Sequence, residues 1–150
     1  MNAAHGGLDI LLVDDNEDDL LMARKVFSRL PFPHRLETAS CAAEALDYLR
    51  RSGKHEGRKG GQPHLLLLDI NMPGMDGFGL LRLLKADPEL RKIPVIMLTT
   101  SASHDDVRKS YECGAASFIT KPETFEGFSG LMRKFAGYWL SVSALPQQGE

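Results

Sequence analysis

Three aspartates come directly after two short apolar segments of the chain. Asp14 and Asp15 follow residues 10–13, and Asp69 follows residues 65–68. If they are gathered in one place, three carboxylates repel one another and some of their pKa values rise, unless a divalent cation lies between them. Mg²⁺ prefers oxygen ligands and combines one or two protein carboxylates with water and phosphate oxygens. The aspartates therefore predict a Mg²⁺ site that also binds phosphate.

Each oxygen donor of this cluster has a predicted role. Asp15 and Asp69 can supply side-chain ligands, the backbone carbonyl of Asn71 can supply another, and Asp14 can hold a metal-bound water. Asp69 is also the predicted nucleophile, since carboxylates form aspartyl-phosphate intermediates. A lone aspartate at this place is more often a cap or a turn residue, so the prediction depends on the residues that converge with it.

A hydroxyl and an ammonium complete the set. Thr99 follows the apolar residues 95–98, and Lys121 follows the short segment 117–120. Phosphoryl transfer needs positioning of the group and neutralisation of its oxygens more than covalent help. Lys121 can pair with one oxygen and Thr99 can donate a hydrogen bond to another. No general base is needed, because a carboxylate is already ionised near neutral pH.

The segments that must position these residues alternate between predicted strands and predicted helices. The central strands are continuous apolar runs, which are typical of strands buried on both faces of a parallel sheet. Five β-α units predict an α/β fold: a flavodoxin-like, doubly wound, five-stranded parallel sheet of order 2-1-3-4-5, with helices on both faces. Such sheets bind ligands beyond the carboxyl ends of strands 1 and 3, where the aspartates fall.

The chain divides into a short lead, one domain and a tail. Residues 1–8 predict a flexible N-terminal lead, 9–142 one domain with its own core, and 143–150 a C-terminal tail. Within the domain, Ser40 is the predicted N-cap of the helix that follows it. Residues 52–63 predict a flexible surface loop, since they are rich in glycine and basic residues and lack large apolar side chains.

The bulk composition argues against several classes of protein. The net charge is −2 over 150 residues, which provides no general attraction to nucleic acid or to an anionic membrane. Two cysteines without CxxC spacing and five scattered histidines argue against a disulfide framework or a zinc site. No secretory signal and no apolar run of about 20 residues is visible. A cytoplasmic protein is the resulting prediction.

The chain resembles the receiver domain of two-component response regulators over about residues 8–135, through the stretches VDDNEDD, LLLLDINMPGMDG, PVIMLTTS and SFITKP. The resemblance implies autocatalysed phosphorylation with a histidine kinase as donor and Mg²⁺ as cofactor, and therefore no turnover enzyme. It assigns the phosphoacceptor Asp69, the acid-pocket residues Asp14 and Asp15, the switch residues Thr99 and Phe118, and the phosphate-contacting Lys121.

Some positions near the site depart from the pattern of that family or add to it. Phe118 has no hydroxyl, so it cannot make the hydrogen bond of a tyrosine, and Thr100 stands where the family usually has Ala or Gly. Asn71 and Ser101 are predicted to tune hydrolysis by positioning or excluding water. The resemblance also makes the bond before Pro122 a candidate for the cis isomer.

The C-terminal stretch FAGYWLSVSALP is unusually apolar and aromatic. It is either the core-facing stripe of the last helix or an interface, because Tyr138, Trp139, Leu140 and Val142 cannot all point inward from one helix. This tail, together with the long loop, is similar to single-domain regulators that pair with phytochrome-type histidine kinases and form homodimers through this face. The resemblance therefore implies such a kinase and a second copy of the chain as partners.

Two other functions remain open at this point. A receiver-like binding module that takes no phosphate would use the same fold without the chemistry. Haloacid-dehalogenase-type phosphatases also use a nucleophilic aspartate with Mg²⁺, but they carry a second aspartate two residues later. That position here is Asn71, which cannot exchange a proton with a leaving group as a carboxyl can.

Overall fold

A computed structural model describes residues 7–31, 33–100 and 103–139 of the chain. Strands and helices alternate along it, and a 3₁₀ turn at Gly53–His55 interrupts the connection between the second helix and the third strand. The elements are β1 (Leu8–Val13), α1 (Glu17–Ser28), β2 (His34–Ala39), α2 (Ala42–Arg50), β3 (Leu65–Leu68), α3 (Gly77–Ala86), β4 (Val95–Thr99), α4 (His104–Glu112), β5 (Ser117–Thr120) and α5 (Phe125–Gly137).

The five strands form one parallel sheet in the order β2-β1-β3-β4-β5. The predicted fold and strand order are therefore confirmed. Val13, the last residue of β1, is in register with Ala39 of β2 and with Leu68 of β3. Because these three strands end level with one another, the residues that follow β1 and β3 leave the sheet side by side.

The core lies in two layers, one on each face of the sheet. Leu66 and Leu68 pack against α2 and α3, whereas Leu65 and Leu67 pack against α1 and α5. All four leucines are at most 1% exposed. Burying such a side chain contributes roughly 1.5–3 kcal/mol, which explains why β3 has no polar alternation. Among the described residues, no helix has the length and apolar character needed to cross a bilayer.

Two local features differ from the sequence-based expectations. Cys41, rather than Ser40, is the N-cap of α2, and it makes no side-chain capping bond. The backbone N–H of Ser40 instead donates to Glu44 Oε1 at 2.8 Å, and the hydroxyl lies 3.2 Å from the same atom. The side chain of Glu44 thus reaches back to the residue before the N-cap and accepts from its backbone N–H.

The loop between α2 and β3 is more structured than its composition predicts. Arg51 donates to the carbonyl oxygens of Arg58 and Gly60. The guanidinium of Arg58 lies 3.9 Å from the ring centroid of Tyr48 and donates to the Tyr48 carbonyl at 2.9 Å. The side-chain amide of Gln62 donates to the carbonyl of Leu49 at 2.7 Å. Side chains at this loop therefore donate to carbonyls of the loop itself and of the last turn of α2.

Candidate functional site

The ends of β1 and β3 bring three carboxylates together. One oxygen each of Asp14, Asp15 and Asp69 lies within 4.8 Å of the others. The backbone positions them, since the N–H of Asp69 donates to the Val13 carbonyl at 2.9 Å and the N–H of Asp14 to the Ala39 carbonyl at 3.0 Å. Asp14 and Asp69 are buried, while Asp15 is exposed. The spacing of these aspartates in the sequence thus becomes one acidic cluster.

The surroundings of Asp69 oppose the ionisation of its side chain. Its burial, followed by the charge of Asp14, raises the pKa of Asp69 to about 6. The charge of Lys121 and a hydrogen bond with the hydroxyl of Thr99 act in the opposite direction. At neutral pH the carboxylate is still mostly charged, so it can act as a nucleophile without a separate base. The raised pKa also means that a nearby cation would be bound favourably.

Lys121 is the buried cation of the site. Its Nζ lies 2.7 Å from Asp14 Oδ2 and 2.7 Å from Asp19 Oδ2, and the side chain is 7% exposed. Burial lowers the pKa of the ammonium, but the hydrogen bonds to Asp14 and Asp19 outweigh this effect and hold the pKa above its usual value. The backbone N–H of Lys121 donates to the Thr99 carbonyl at 2.7 Å, so the end of β4 positions the backbone of the lysine.

Not every predicted residue lies in this cluster. Asn71 is exposed in the segment that follows β3, and Thr100 is exposed just after β4. Phe118 lies in β5, opposite Met97 of β4, and packs partly buried against the core layer of α2 and α3. Ser101 lies outside the described residues. The roles of all the predicted site residues, Asn71, Phe118 and Ser101 among them, stay predictions.

One residue and one peptide bond of the site differ from the sequence-based predictions. Asp19 was not among the predicted site residues, although it lies in the first turn of α1, which begins two residues after Asp15. The prediction of a cis bond before Pro122 is wrong, because all peptide bonds of the described residues are trans. Trans is the intrinsically favoured isomer even before proline.

The acidic cluster has the donors that a divalent cation requires. All three ligand groups are carboxylates, which suit hard cations, and their mutual spacing allows one ion to touch all of them. The repulsion that raises the pKa of Asp69 is what such a cation would remove. The residues present therefore fit a divalent metal.

A second feature is a groove at the C-terminal end of α5. It has a volume of about 420 Å³ and is lined by Ile119 of β5 and by Leu131, Phe135 and the aromatic pair after them. Tyr138 is 50% exposed, and its ring lies edge-on to that of Trp139 with 5.1 Å between the centroids. The other residues of the predicted interface, Leu140 and Val142, lie outside the described part of the chain.

Known proteins of this architecture cover nearly all of the chain. The chain is 39% identical over 137 residues to the probable methanogenesis regulatory protein FilR2 of Methanothrix harundinacea, which covers 91% of this chain and 86% of the relative. It is 33% identical over 137 residues to the response regulator Rcp1 of Synechocystis sp., covering 91% and 92% of the two chains.

Solved structures agree with these relatives. The phosphorylated cyanobacterial phytochrome response regulator RcpA superposes with a TM-score of 0.86 at 33% identity, over 94% of this chain and 99% of that one. The Mn²⁺-bound form of Rcp1 gives a TM-score of 0.84 at 32% identity, over 93% and 99%. The family model of the response regulator receiver domain matches residues 10–130. With this match over most of its length and relatives above 30% identity over nine-tenths of it, the chain belongs to the response regulator receiver domain family.

Proposed function

We propose that this receiver domain accepts a phosphoryl group on Asp69 from a partner histidine kinase, with Mg²⁺ as cofactor. The observation that carries the proposal is the convergence of three carboxylates within 4.8 Å of one another, with a buried ammonium bonded to one of them. Asp14, Asp15 and Asp69 would hold the metal, and the carbonyl of Asn71 is a further candidate ligand. When bound, the metal neutralises charge on the phosphoryl oxygens.

The protein contributes mainly position and charge to the proposed transfer. A carboxylate oxygen of Asp69 attacks the phosphorus of a phosphohistidine on the kinase. The O–P bond forms as the P–N bond breaks, and the electron pair of that bond goes to the ring nitrogen. The ring leaves as neutral imidazole, because its other nitrogen already carries a proton. Thr99 can donate a hydrogen bond to one phosphoryl oxygen, and Lys121 can pair with another.

Signalling would begin with the change of hydrogen-bond partner that phosphorylation imposes on Thr99. Thr99 hydrogen-bonds with Asp69 in the unphosphorylated chain, and a phosphoryl oxygen would take the place of the carboxylate as the acceptor of its hydroxyl. Phe118, which lies on the next strand, is the proposed aromatic partner of this switch. Hydrolysis, in which water attacks phosphorus and releases inorganic phosphate, restores Asp69, and Asn71 and Ser101 are proposed to set its rate. The domain is therefore a switch rather than a turnover enzyme.

Incubation with acetyl phosphate and Mg²⁺, followed by intact mass measurement, tests the phosphoacceptor. We expect one phosphoryl group per wild-type chain, none in Asp69→Asn, and one in the control Asp105→Asn, whose carboxylate lies on the exposed face of α4. Absence of phosphorylation in the wild type would favour the binding module. Continuous phosphate release at a rate typical of an enzyme would favour the phosphatase.

We also propose a phytochrome-type histidine kinase as the phosphodonor. Support comes from the relatives, since RcpA is described as a cyanobacterial phytochrome response regulator and covers 94% of this chain in superposition. A cytoplasmic location fits such a partner. It also fits Cys41 and Cys113, which are free thiols in the structure and would stay so in a reducing compartment.

A homodimer through the C-terminal face of α5 is the last part of the proposal. The exposed Tyr138 and the partly buried Trp139 border a largely apolar groove, and accessible aromatic side chains often mark interfaces. We expect Tyr138→Ala combined with Trp139→Ala to lower the dimer fraction in sedimentation velocity by at least tenfold. Leu21→Ala removes a side chain that is 53% exposed on α1 and should leave it unchanged. A monomeric wild type would rule out the dimer.

A further inference from the structure

Asp19 is a carboxylate that the proposed transfer does not use, although it is bonded to the lysine at the centre of the site. Lys121 Nζ donates to Asp19 Oδ2 and to Asp14 Oδ2, each at 2.7 Å. Two of the three donors of the ammonium are therefore engaged by carboxylates. Lys121 acts on Asp69 through its charge, and its side-chain hydrogen bonds among the described residues go to Asp14 and Asp19.

The local structure holds Asp19 in place. Asn16 caps α1, because its Oδ1 accepts from the N–H of Asp18 at 2.9 Å and of Asp19 at 3.2 Å. The N–H of Asn16 in turn donates to Asp14 Oδ1 at 2.9 Å. The first turn of α1 is thus tied to the carboxylate that also binds Lys121. The contact between Asp19 and Lys121 follows from this arrangement of six consecutive residues.

The two ion pairs of Lys121 differ in burial. The side chain of Asp14 is 2% exposed, whereas that of Asp19 is 26% exposed. Water competes with the ammonium at Asp19, so that pair is easily broken. Breaking the pair with Asp14 would leave a buried charge without a partner, which is far more costly. If another anion approaches Lys121, Asp19 is the partner that it should release first.

Building on the phosphoacceptor function above, we propose that Asp19 is a positioning residue that competes with the phosphoryl group for Lys121. In the unphosphorylated chain Asp19 turns the ammonium toward α1. On phosphorylation, Lys121 keeps Asp14 and exchanges Asp19 for a phosphoryl oxygen. The exchange leaves Asp19 unpaired on the first turn of α1, so the charge that this helix presents depends on the phosphorylation state of Asp69.

Calorimetric titration of the full chain with beryllofluoride, a stable mimic of the phosphoryl group, in saturating Mg²⁺ measures this competition. Asp19→Asn preserves the shape of the side chain and removes its charge, and we expect at least threefold tighter binding than in the wild type. Asp18→Asn is the matched control: it removes the same charge from the same exposed turn, without touching Lys121, and should stay within twofold of wild type.

Two further measurements separate positioning from a merely structural role. Asp19→Glu keeps the charge and should return the affinity to within twofold of wild type. In metal-free protein, NMR of the Lys121 ammonium should show hydrogen exchange several-fold faster in Asp19→Asn than in wild type or Asp18→Asn. Because Asp19 is partly exposed, we expect all variants to fold, which thermal unfolding will verify.

The outcomes divide clearly. Unchanged or weaker beryllofluoride binding in Asp19→Asn overturns the competition, as does an equal gain in Asp18→Asn, since an equal gain reflects net charge alone. If the variants give either of these results but the wild type still binds beryllofluoride, only the competition is refuted and the phosphoacceptor function is not. A wild type that takes up neither beryllofluoride nor phosphate from acetyl phosphate refutes that function, and the competition with it.

Discussion

Asp69 lies among groups that oppose its ionisation. Its own burial, followed by the charge of Asp14, holds its pKa at about 6, compared with 3.8 for an unperturbed aspartate. A carboxyl whose pKa is higher in the folded state binds more protons when folded, so stability falls as the pH rises between these two values. Well above pH 6, the whole of this loss in the free energy of unfolding is present. The Asp69 carboxylate therefore destabilises the metal-free protein at neutral pH.

Replacing this carboxyl should stabilise the protein. In EDTA at pH 7.5 we expect Asp69→Asn to raise the free energy of unfolding by about 1–3 kcal/mol, which allows for partial screening of the shift. Near pH 4 the gain should largely disappear, because Asp69 is then protonated in the folded protein. Urea denaturation at both pH values measures it. An equal gain in the free energy of unfolding at both pH values would show that the charge of Asp69 is not the cause. Asp105→Asn, which removes an exposed carboxylate, serves as the control.

Individual site residues could be predicted where the strand pattern determined their place. Apolar runs are followed by Asp14 and Asp69 or end at Thr99. The carboxyl ends of parallel strands all lie at the same edge of the sheet. The contact of Asp19 with Lys121 was not predictable in this way, because it depends on which face of α1 turns toward a lysine 102 positions away. Contacts between such distant residues require packing angles that a sequence pattern does not contain.

At the scale of elements, the junction between β3 and α3 determines where Asp69 points. The helix begins at Gly77, whose N–H donates to the Ile70 carbonyl at 2.8 Å. A Cβ at this glycine would lie 2.3 Å from the carbonyl oxygen of Asp69 and 2.8 Å from the Cα of Ile70. No backbone atom can give way by that much without moving the strand end. Close approach, rather than flexibility, accounts for this glycine.

We expect Gly77→Ala to destabilise the protein by about 1–3 kcal/mol, although alanine is the better helix former. It should also slow phosphorylation by acetyl phosphate, since Asp69 moves with its carbonyl. Gly130, inside α5, is the matched control, because a Cβ added there would point into open space. Gly130→Ala should stabilise by roughly 0.5–1 kcal/mol. If both substitutions stabilise, measured by urea denaturation, the junction is not tightly packed.

Elements with a strong hydrophobic pattern were predictable from the sequence. Segments whose conformation depends on a few side-chain hydrogen bonds were not. The continuous leucines of β3 predicted a strand covered on both faces, and they form one. The loop at 52–63 was expected to be flexible, because its glycines and basic residues carry no periodic signal. Its order depends on where Arg51 and Arg58 place their donors. A sequence shows that these donors exist but not which carbonyls they reach.

For the whole molecule, the two core layers and the site meet at the central strands. Asp14 and Asp69 leave β1 and β3, and these strands carry side chains of both layers. The acidic residues repel one another at the carboxyl ends of these strands, so an ion that neutralised them would stabilise the whole fold. Unfolding of either layer would separate the ligands and release the ion.

Mg²⁺ should therefore raise the stability of the intact domain. At 100 times its dissociation constant it should add about 2.7 kcal/mol, which corresponds to roughly 5–10 °C in Tm for a chain of this size. Asp15→Asn removes an exposed ligand with little effect on the core and should lose most of the gain, whereas Asp105→Asn should keep it. Calorimetric scans in EDTA and in Mg²⁺ compare the three proteins. Equal gains in all three would mean that Mg²⁺ acts elsewhere on the surface, because a site built by the central strands cannot lose a ligand without losing affinity.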